Sequence, residues 1–268
     1  MKRKIFRWIK VLLLIYCLIG IGIYSFQDQL IFRGEAVPKD QPYNFTQPHK
    51  EVNIAYTAGS NINIVQFLTA RDSAKGVVLY FHGNRKNISW YAKYANIFTS
   101  KGYEVWMIDY PGYGKSTGER TEAILYDWAL TLYKLSRVRF SPDRIIIYGK
   151  SLGTGIASQL ASVRDCRRLV LETPYYNCAS AIGQYLPVYP LERMLRYKFP
   201  NYLHLQKVTA PVTIFQGTND WVITHRNASR LKPFLKDGDE FVSIEKGSHN
   251  GLADFTIYQN KMDSILAR

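Results

Sequence analysis

The feature that most constrains the fold of this chain is a regular alternation of strand-like and helix-like segments. Several of the strand candidates are unbroken apolar runs, as is typical of strands buried on both faces of a parallel sheet. The strand candidates span residues 52–56, 62–68, 77–81, 104–108, 144–148, 168–171, 212–215 and 241–244. Helical patterns span residues 88–100, 121–136, 155–163, 226–235 and 251–266. This order predicts an α/β fold with an open, mostly parallel eight-stranded sheet and helices on both faces.

Composition and charge exclude several other classes of protein. With 47% hydrophobic and 21% charged residues, the 268-residue chain is globular, and it is long enough to bury a core without disulfides or a metal. Its three cysteines are too few for a disulfide framework. The net charge of +14 suits an anionic surface, but neither zinc-finger spacing nor an RNA-binding aromatic signature is present, so no nucleic acid partner is expected.

An apolar segment at residues 11–26 follows a basic cluster and precedes the first acid, Asp28. As a helix this segment would be about 24 Å long, slightly shorter than the hydrocarbon core of a bilayer. We interpret residues 1–27 as an uncleaved signal anchor that crosses the membrane. A cleaved signal peptide is the alternative, although the Gly-Ile-Gly at residues 20–22 is a poor cleavage site.

The basic cluster also predicts the orientation of this anchor. Because Lys and Arg are retained on the cytoplasmic side, the N-terminus should be cytoplasmic and the domain at residues 51–268 should lie on the non-cytoplasmic side. Subtracting the five N-terminal charges from +14 leaves +9, which would hold that domain near anionic headgroups. The five basic residues are Lys2, Arg3, Lys4, Arg7 and Lys10.

Two other stretches interrupt the alternation. Residues 28–50 contain three prolines and little periodicity, so we interpret them as a connector. Residues 173–210 form a long connection with four prolines and seven aromatic side chains, and connections of this length are usually functional or have structure of their own. We predict a lid that forms an acyl pocket, with Tyr175, Tyr185 and Leu186 contacting the substrate. A purely structural helical insertion is the alternative.

The most informative motif is GKSLG at residues 149–153, between a buried strand and a helix of small residues. This is the G-x-S-x-G nucleophile elbow, in which the glycines allow a tight turn and the serine hydroxyl is exposed at its tip. A second copy of the motif centres on Ser116, but it lies several residues beyond its strand, in a loop that contains Pro111. The predicted nucleophile is therefore Ser151.

A serine nucleophile needs a base, and the base needs an acid that orients it. Of the five histidines, His249 lies between the last strand and the last helix, in the chain order serine, acid, histidine that this motif requires. Asp220 follows the strand candidate at residues 212–215, at the sheet edge where open α/β folds place their sites. Glu172, which ends the preceding strand, is the rival acid. The predicted triad is Ser151, Asp220 and His249.

Two backbone N–H groups are needed to stabilise the oxyanion of an acyl-transfer intermediate. Leu152, which follows the nucleophile, is predicted to supply one of them. The other is assigned to Asn84, in the loop after the strand at residues 77–81, where Gly83 lets the backbone approach a substrate.

These motifs resemble the α/β-hydrolase superfamily and, more closely, its membrane-anchored α/β-hydrolase-domain serine hydrolases. The resemblance extends from about Phe26 to the end of the sequence, with Thr224 at a position where relatives often carry proline. It implies an α/β-hydrolase fold with a lid insertion, the triad and the oxyanion donors named above, and substrates such as lipid esters, lysophospholipids or protein S-acyl thioesters. The segments that carry it are YFHGN, DYPGYGKSTG, YGKSLG, QGTNDWVI and GSHNGL.

The expected function is hydrolysis of acyl esters or thioesters through an acyl-enzyme, with no cofactor and no metal. A serine peptidase on the same fold is one alternative, although such enzymes often carry an extra gating domain for which the chain has no room. A non-catalytic, membrane-anchored interaction protein is the other, although such proteins usually lose a triad residue. The sequence leaves the oligomeric state open.

Overall fold

The computed structural model describes residues 2–70 and 73–267 and contains a central eight-stranded sheet. Positions 1 and 268, the outer bounds of the predicted domains, lie outside the described residues. The strands are β1 (Arg33–Gly34), β2 (His49–Thr57), β3 (Ser60–Phe67), β4 (Gly76–Phe81), β5 (Arg85–Lys86), β6 (Tyr103–Ile108), β7 (Ile145–Lys150), β8 (Arg168–Glu172), β9 (Val212–Gly217) and β10 (Glu240–Ile244).

The strand order in the large sheet is β10-β9-β8-β7-β4-β6-β3-β2. Neighbours from β10 to β6 are parallel, whereas β3 is antiparallel to both β6 and β2. The predicted α/β fold with a mostly parallel eight-stranded sheet is confirmed, and each predicted strand is present with its ends shifted by three residues or fewer. The short strands β1 and β5, which pair in parallel outside the large sheet, were not predicted.

The helices lie between the strands and on both faces of the sheet. They are α1 (Lys2–Ser25), α2 (Gln27–Ile31), α3 (Ile88–Tyr91), α4 (Asn96–Thr99), α5 (Glu122–Arg137), α6 (Gly153–Val163), α7 (Cys178–Gly183), α8 (Leu191–Met194), α9 (Asn201–Leu205), α10 (His225–Ser229) and α11 (Thr256–Ala267). Single 3-10 turns occur at Ala92–Tyr94, Pro142–Arg144, Lys232–Phe234 and Leu252–Asp254.

Local sequence explains several helix ends. The Thr121 hydroxyl caps α5 by accepting a hydrogen bond from the Ile124 N–H (3.1 Å). The helix predicted at residues 226–235 is shorter than expected, because Pro233 has no N–H to continue α10 and a 3-10 turn follows instead. The helix predicted at residues 88–100 is also wrong in length, since it is divided into α3, a 3-10 turn and α4.

Two apolar layers cover the two faces of the sheet, because successive side chains along each strand point to opposite faces. On β4, Val77 and Leu79 face one layer, which includes Trp128 of α5. The intervening Val78 faces the other layer, which includes Phe98 of α4. Both faces are therefore dry, which explains the unbroken apolar runs in the sequence.

The two irregular stretches both have structure of their own. The connector at residues 28–50 contains most of α2 and all of β1, and β1 pairs with β5. The insertion at residues 173–210 contains α7, α8 and α9, and its second half is packed into the core, with Phe199 fully buried. The Asn201 side chain at the start of α9 accepts a hydrogen bond from Ser158 of α6 (2.6 Å). This half of the insertion is part of the domain rather than a loose cover.

Candidate active site

Ser151 lies on the sharp turn between β7 and α6 that the motif predicts. Its backbone is left-handed, with φ of 50°, a strained conformation for a residue other than glycine. A side chain at Gly153 would collide with the carbonyl oxygen of Phe81, and one at Gly149 would lie 2.6 Å from the carbonyl oxygen of Gly153. The two glycines are therefore required for close packing of strand, turn and helix around the serine.

The three residues of the predicted triad are brought together by hydrogen bonds. His249 Nε2 lies 3.0 Å from Ser151 Oγ, and His249 Nδ1 lies 2.8 Å from Asp220 Oδ2. The Asp220 side chain is buried, whereas the His249 side chain remains partly exposed. Ser151 and His249 are 98 positions apart in the chain, but both follow the carboxyl end of a parallel strand, and these ends meet at one edge of the sheet.

The Asp220 carboxylate is held on both oxygens. Oδ1 accepts hydrogen bonds from the backbone N–H groups of Val222 and Ile223, each at 2.8 Å. Oδ2, which faces His249, also accepts a hydrogen bond from the Gln216 side chain at 3.2 Å. This arrangement fixes the carboxylate relative to the imidazole and keeps it suited to accept an N–H from Nδ1.

The backbone N–H groups of Asn84 and Leu152 have no hydrogen-bond acceptor within residues 2–70 and 73–267. Neighbouring segments fix the position of the loop that carries Asn84. The Asn84 carbonyl oxygen accepts hydrogen bonds from the Arg33 N–H and from the Tyr113 hydroxyl, both at 2.8 Å. The side-chain amide of Asn84 donates to the Ile31 carbonyl (2.9 Å), away from the nucleophile. Both N–H groups thus remain available to a ligand at Ser151.

Gly83 and Tyr91 form the wall next to Asn84. A Cβ atom at Gly83 would lie 2.6 Å from the Tyr91 hydroxyl and 3.6 Å from the Ser151 Cβ, so only glycine fits between them. Burial raises the pKa of Tyr91 well above its usual value, so the phenol keeps its proton at neutral pH.

The rejected candidates have other partners. Ser116 is buried, and its Oγ accepts a hydrogen bond from the Asn63 N–H (2.9 Å). Glu172 forms a buried ion pair with Lys150 and accepts a hydrogen bond from Tyr148. Its two carboxylate oxygens therefore bind residues other than His249.

Two of the remaining histidines have other surroundings, since His82 is fully buried and His204 is half-buried beside Tyr126. His82 Nε2 lies 3.2 Å from Asp109 Oδ1, and neither side chain is exposed. Asp109 also accepts a hydrogen bond from the Ile88 N–H (3.0 Å), which ties the first turn of α3 to the end of β6. Burial, and secondarily Lys207, lower the pKa of His204 to about 4, so this imidazole is neutral at physiological pH.

The three residues predicted to contact the substrate do not line the cavity at Ser151. Tyr175 is buried and donates a hydrogen bond to the Leu152 carbonyl (3.1 Å). Tyr185 is exposed and donates to the Trp221 carbonyl, and Leu186 lines a separate surface groove. The first part of the insertion therefore contacts the loop after Asp220 but does not form the wall next to the nucleophile.

The cavity that contains Ser151 and His249 has a volume of about 480 Å³. Its walls come from the loop between β4 and β5 that carries Asn84, here called the oxyanion loop, from the end of α3, from the segment after α2 and from the loop that carries His249. Sequence reasoning missed most of them, because few lie in recognisable motifs. The other lining residues are Arg33, Glu35, Gly83, Asn84, Arg85, Lys86, Trp90, Tyr91, Lys150 and Asn250.

Comparison with known proteins finds a matching family model and curated relatives. The Hydrolase_4 family model, described as serine aminopeptidase, S33, matches residues 72–204. Mouse alpha/beta hydrolase domain-containing protein 17C is 26% identical over 221 residues, which cover 81% of this chain and 68% of the relative. An uncharacterised protein of Mycobacterium tuberculosis is 27% identical over 230 residues, which cover 85% of this chain and 82% of the relative.

Solved structures share the same fold. An esterase of Pyrococcus furiosus aligns with a TM-score of 0.66 at 14% identity and covers 88% of this chain and 96% of its own. A soluble variant of the Saccharomyces cerevisiae monoglyceride lipase aligns with a TM-score of 0.62 at 16% identity and covers 86% of this chain and 98% of its own. These comparisons show that the chain has the α/β-hydrolase fold and support its membership of the α/β-hydrolase superfamily.

Proposed function

We propose that this protein is a serine hydrolase that cleaves the ester or thioester bonds of acyl substrates through an acyl-enzyme. The observation that carries the proposal is the continuous chain of hydrogen bonds from Asp220 through His249 to Ser151. The backbone N–H groups of Asn84 and Leu152, which have no acceptor among the described residues, support it, because Leu152 directly follows the serine and Asn84 lines the same cavity.

In this mechanism His249 Nε2 accepts the proton of Ser151 Oγ as the oxygen attacks the substrate carbonyl carbon. The N–H groups of Asn84 and Leu152 donate to the resulting oxyanion. His249 then gives its proton to the departing alkoxide or thiolate, and the C–O or C–S bond breaks to leave the acyl-enzyme. A water molecule, deprotonated by His249, releases the carboxylic acid and restores the serine.

The names of the structural neighbours, an esterase and a monoglyceride lipase, support an acyl ester substrate. The direct test is a fluorophosphonate probe, which should label the wild-type chain, followed by a chain-length series of p-nitrophenyl esters and acyl thioesters. Labelling together with ester or thioester turnover is the expected result. Absence of both would overturn the proposal and favour a non-catalytic role.

The description of the matching family model makes a serine aminopeptidase the second candidate. An aminopeptidase must bind a free α-ammonium group, for which an unpaired carboxylate is the usual partner. Among the residues that line the cavity, the acid is Glu35, and it already forms an ion pair with Lys86 (2.6 Å). Turnover of aminoacyl p-nitroanilides in preference to acyl esters would favour the peptidase.

Helix α1 is long and apolar enough to cross a membrane, and we assign it as the anchor. Its contacts with the insertion define how far the insertion extends along the helix. Arg196 pairs with Asp28, just beyond the end of the helix (3.3 Å). Farther along, Tyr189 stacks on Tyr16 with ring centroids 4.6 Å apart. Tyr16 lies nine residues before the end of α1, about 13 Å along the helix axis.

The segment at residues 184–190, here called the insertion tip, should therefore lie within the bilayer beside α1. It carries no charged residue, and Tyr185 and Val188 are exposed on it. Arg196 would then lie at headgroup level, where aromatic and basic side chains are favoured.

A cysteine scan tests this placement of the insertion tip. In proteoliposomes, Val188→Cys should react slowly with a water-soluble maleimide, because lipid covers it. Val138→Cys is the matched control, since Val138 is 82% exposed at the end of α5, and it should react quickly. Equal rates at the two positions would place the insertion tip in water and contradict the proposal.

We retain the predicted topology, with a cytoplasmic N-terminus and the hydrolase domain on the non-cytoplasmic side, because the basic residues all precede the apolar part of α1. External protease added to intact cells or spheroplasts should digest a C-terminal tag. A tag that survives this treatment, but is digested after lysis, would place the domain in the cytoplasm.

A further inference from the structure

Two arginines face each other at the mouth of the cavity that contains Ser151. Arg33 of β1 and Arg85 of β5 are register partners in the small parallel sheet, and both are exposed. Like charges directly opposite each other on neighbouring strands are destabilising. The arrangement therefore has an unfavourable electrostatic energy in the absence of an anion.

No carboxylate neutralises these two guanidinium groups within residues 2–70 and 73–267. The nearby acid Glu35 pairs with Lys86 (2.6 Å), and Glu172 pairs with Lys150 in the buried layer below. The cavity thus contains two arginines without a carboxylate partner among the described residues, whereas its lysines, Lys86 and Lys150, are paired with acids. Its electrostatic potential therefore favours an anionic ligand.

The same two residues are tied to the oxyanion loop. Arg85 directly follows Asn84, and the Arg33 N–H donates a hydrogen bond to the Asn84 carbonyl (2.8 Å). An anion held by the arginines would therefore occupy the same cavity as a carbonyl group positioned for attack by Ser151.

We propose that Arg33 and Arg85 bind a phosphate group on the leaving group of the substrate, an inference that rests on the proposed ester or thioester hydrolase function. The planar guanidinium donates two parallel hydrogen bonds, a geometry that matches phosphate oxygens. A fatty acyl chain has no charged group, so the phosphate belongs to the alcohol or thiol that departs.

The reaction follows the acyl-enzyme route without touching the phosphate. Ser151 Oγ forms a bond to the acyl carbon, the C–O or C–S bond to the phosphorylated group breaks, and His249 protonates the departing oxygen or sulfur. Water then hydrolyses the acyl-enzyme, so the products are a carboxylic acid and a phosphorylated alcohol or thiol. Phosphate of this kind has two sources, a glycerophosphate lipid and a phosphorylated thiol such as coenzyme A.

The experiment compares kcat/KM within two matched substrate pairs. One pair is 1-acylglycerol 3-phosphate and 1-acylglycerol of the same chain length, presented in mixed micelles of one neutral detergent. The other is acyl-coenzyme A and the uncharged acyl thioester of N-acetylcysteamine. The wild-type enzyme should prefer the phosphorylated member of at least one pair by about tenfold or more, as expected for charge-assisted hydrogen bonds. The pair with the larger preference identifies the source of the phosphate.

The variants are Arg33→Ala, Arg85→Ala and Arg85→Lys. Each alanine variant should lower the ratio of kcat/KM between the phosphorylated and neutral members by about tenfold, and Arg85→Lys should lower it less, because it keeps the charge but not the planar fork. Arg164→Ala is the control for loss of one exposed positive charge. Arg164 follows the C-terminal end of α6, the opposite end of that helix from Ser151. The ratio of kcat/KM between the phosphorylated and neutral members should therefore stay at the wild-type value in Arg164→Ala.

Equal kcat/KM within both pairs, or an undiminished ratio in the two alanine variants, would overturn the phosphate site. If the wild-type chain still hydrolyses p-nitrophenyl butyrate in that case, the proposed hydrolase function survives and only this inference fails. If no ester or thioester is cleaved and the fluorophosphonate probe does not react, both proposals fail together.

Discussion

Ser151→Ala is expected to lower kcat/KM for acyl esters by about 10⁴-fold or more and to abolish fluorophosphonate labelling, while the fold persists. The hydroxyl that would attack the carbonyl is removed, but the alanine fits the same turn and leaves the flanking glycines unchanged. The N–H groups of Asn84 and Leu152 would still polarise a bound carbonyl, so a small residual rate is expected. Initial rates on p-nitrophenyl butyrate and in-gel labelling are the measurements.

Ser116→Ala is the matched control, because Ser116 occupies the second copy of the same motif. Its Oγ accepts a hydrogen bond from the buried Asn63 N–H, so the change should lower the free energy of unfolding by about 1–3 kcal/mol. The activity of the folded fraction should stay close to that of the wild type. Loss of labelling in Ser116→Ala together with retention in Ser151→Ala would reverse the assignment of the nucleophile.

The fold and the triad geometry were predictable because each depends on a short local pattern combined with one topological rule. Apolar runs and glycine spacing define β7, the turn and α6 locally. The rule that parallel strands end at one edge then brings Asp220 and His249 towards Ser151 from distant parts of the chain. The pattern favoured Asp220 as the acid, but it left Glu172 as a rival because Glu172 ends a buried strand at the same edge of the sheet.

A buried ion pair accounts for the position of Glu172. Lys150, the residue before the nucleophile, is 2% exposed at its side chain and takes the Glu172 carboxylate as its partner. Nothing in the sequence indicates that this lysine turns inwards rather than towards solvent. An unpaired buried charge is strongly unfavourable, so the position of Lys150 determines the role of Glu172.

The lining of the cavity and the arginine pair could not be derived from the sequence for a different reason. Aromatic content predicts apolar surface but not the direction in which each ring points, and Tyr175 and Tyr185 both contact groups other than the cavity wall. Strands β1 and β5 are two residues each and carry no periodic signal. Their pairing arises from long-range packing of the segment after α2 against the oxyanion loop.

Asp220→Asn is expected to lower kcat by about 10⁴-fold with little change in KM, as the same change does in the Ser-His-Asp triad of serine proteases. Oδ1 accepts two backbone N–H groups, so the amide oxygen should take its place and the amide nitrogen should face His249. That nitrogen donates to Nδ1, which moves the imidazole proton to Nε2. Nε2 can then no longer accept the proton of Ser151. Steady-state kinetics on a short p-nitrophenyl ester measure both constants.

Glu172→Gln provides the control for loss of one carboxylate charge at the same sheet edge. It leaves Lys150 charged and buried without its partner, which should lower the free energy of unfolding by about 3–5 kcal/mol in a urea titration. Per folded molecule, however, kcat should fall far less than in Asp220→Asn, because no hydrogen bond to His249 Nδ1 is lost. Losses of the same size in both variants, after correction for the folded fraction, would contradict the assignment of Asp220 as the acid that orients His249.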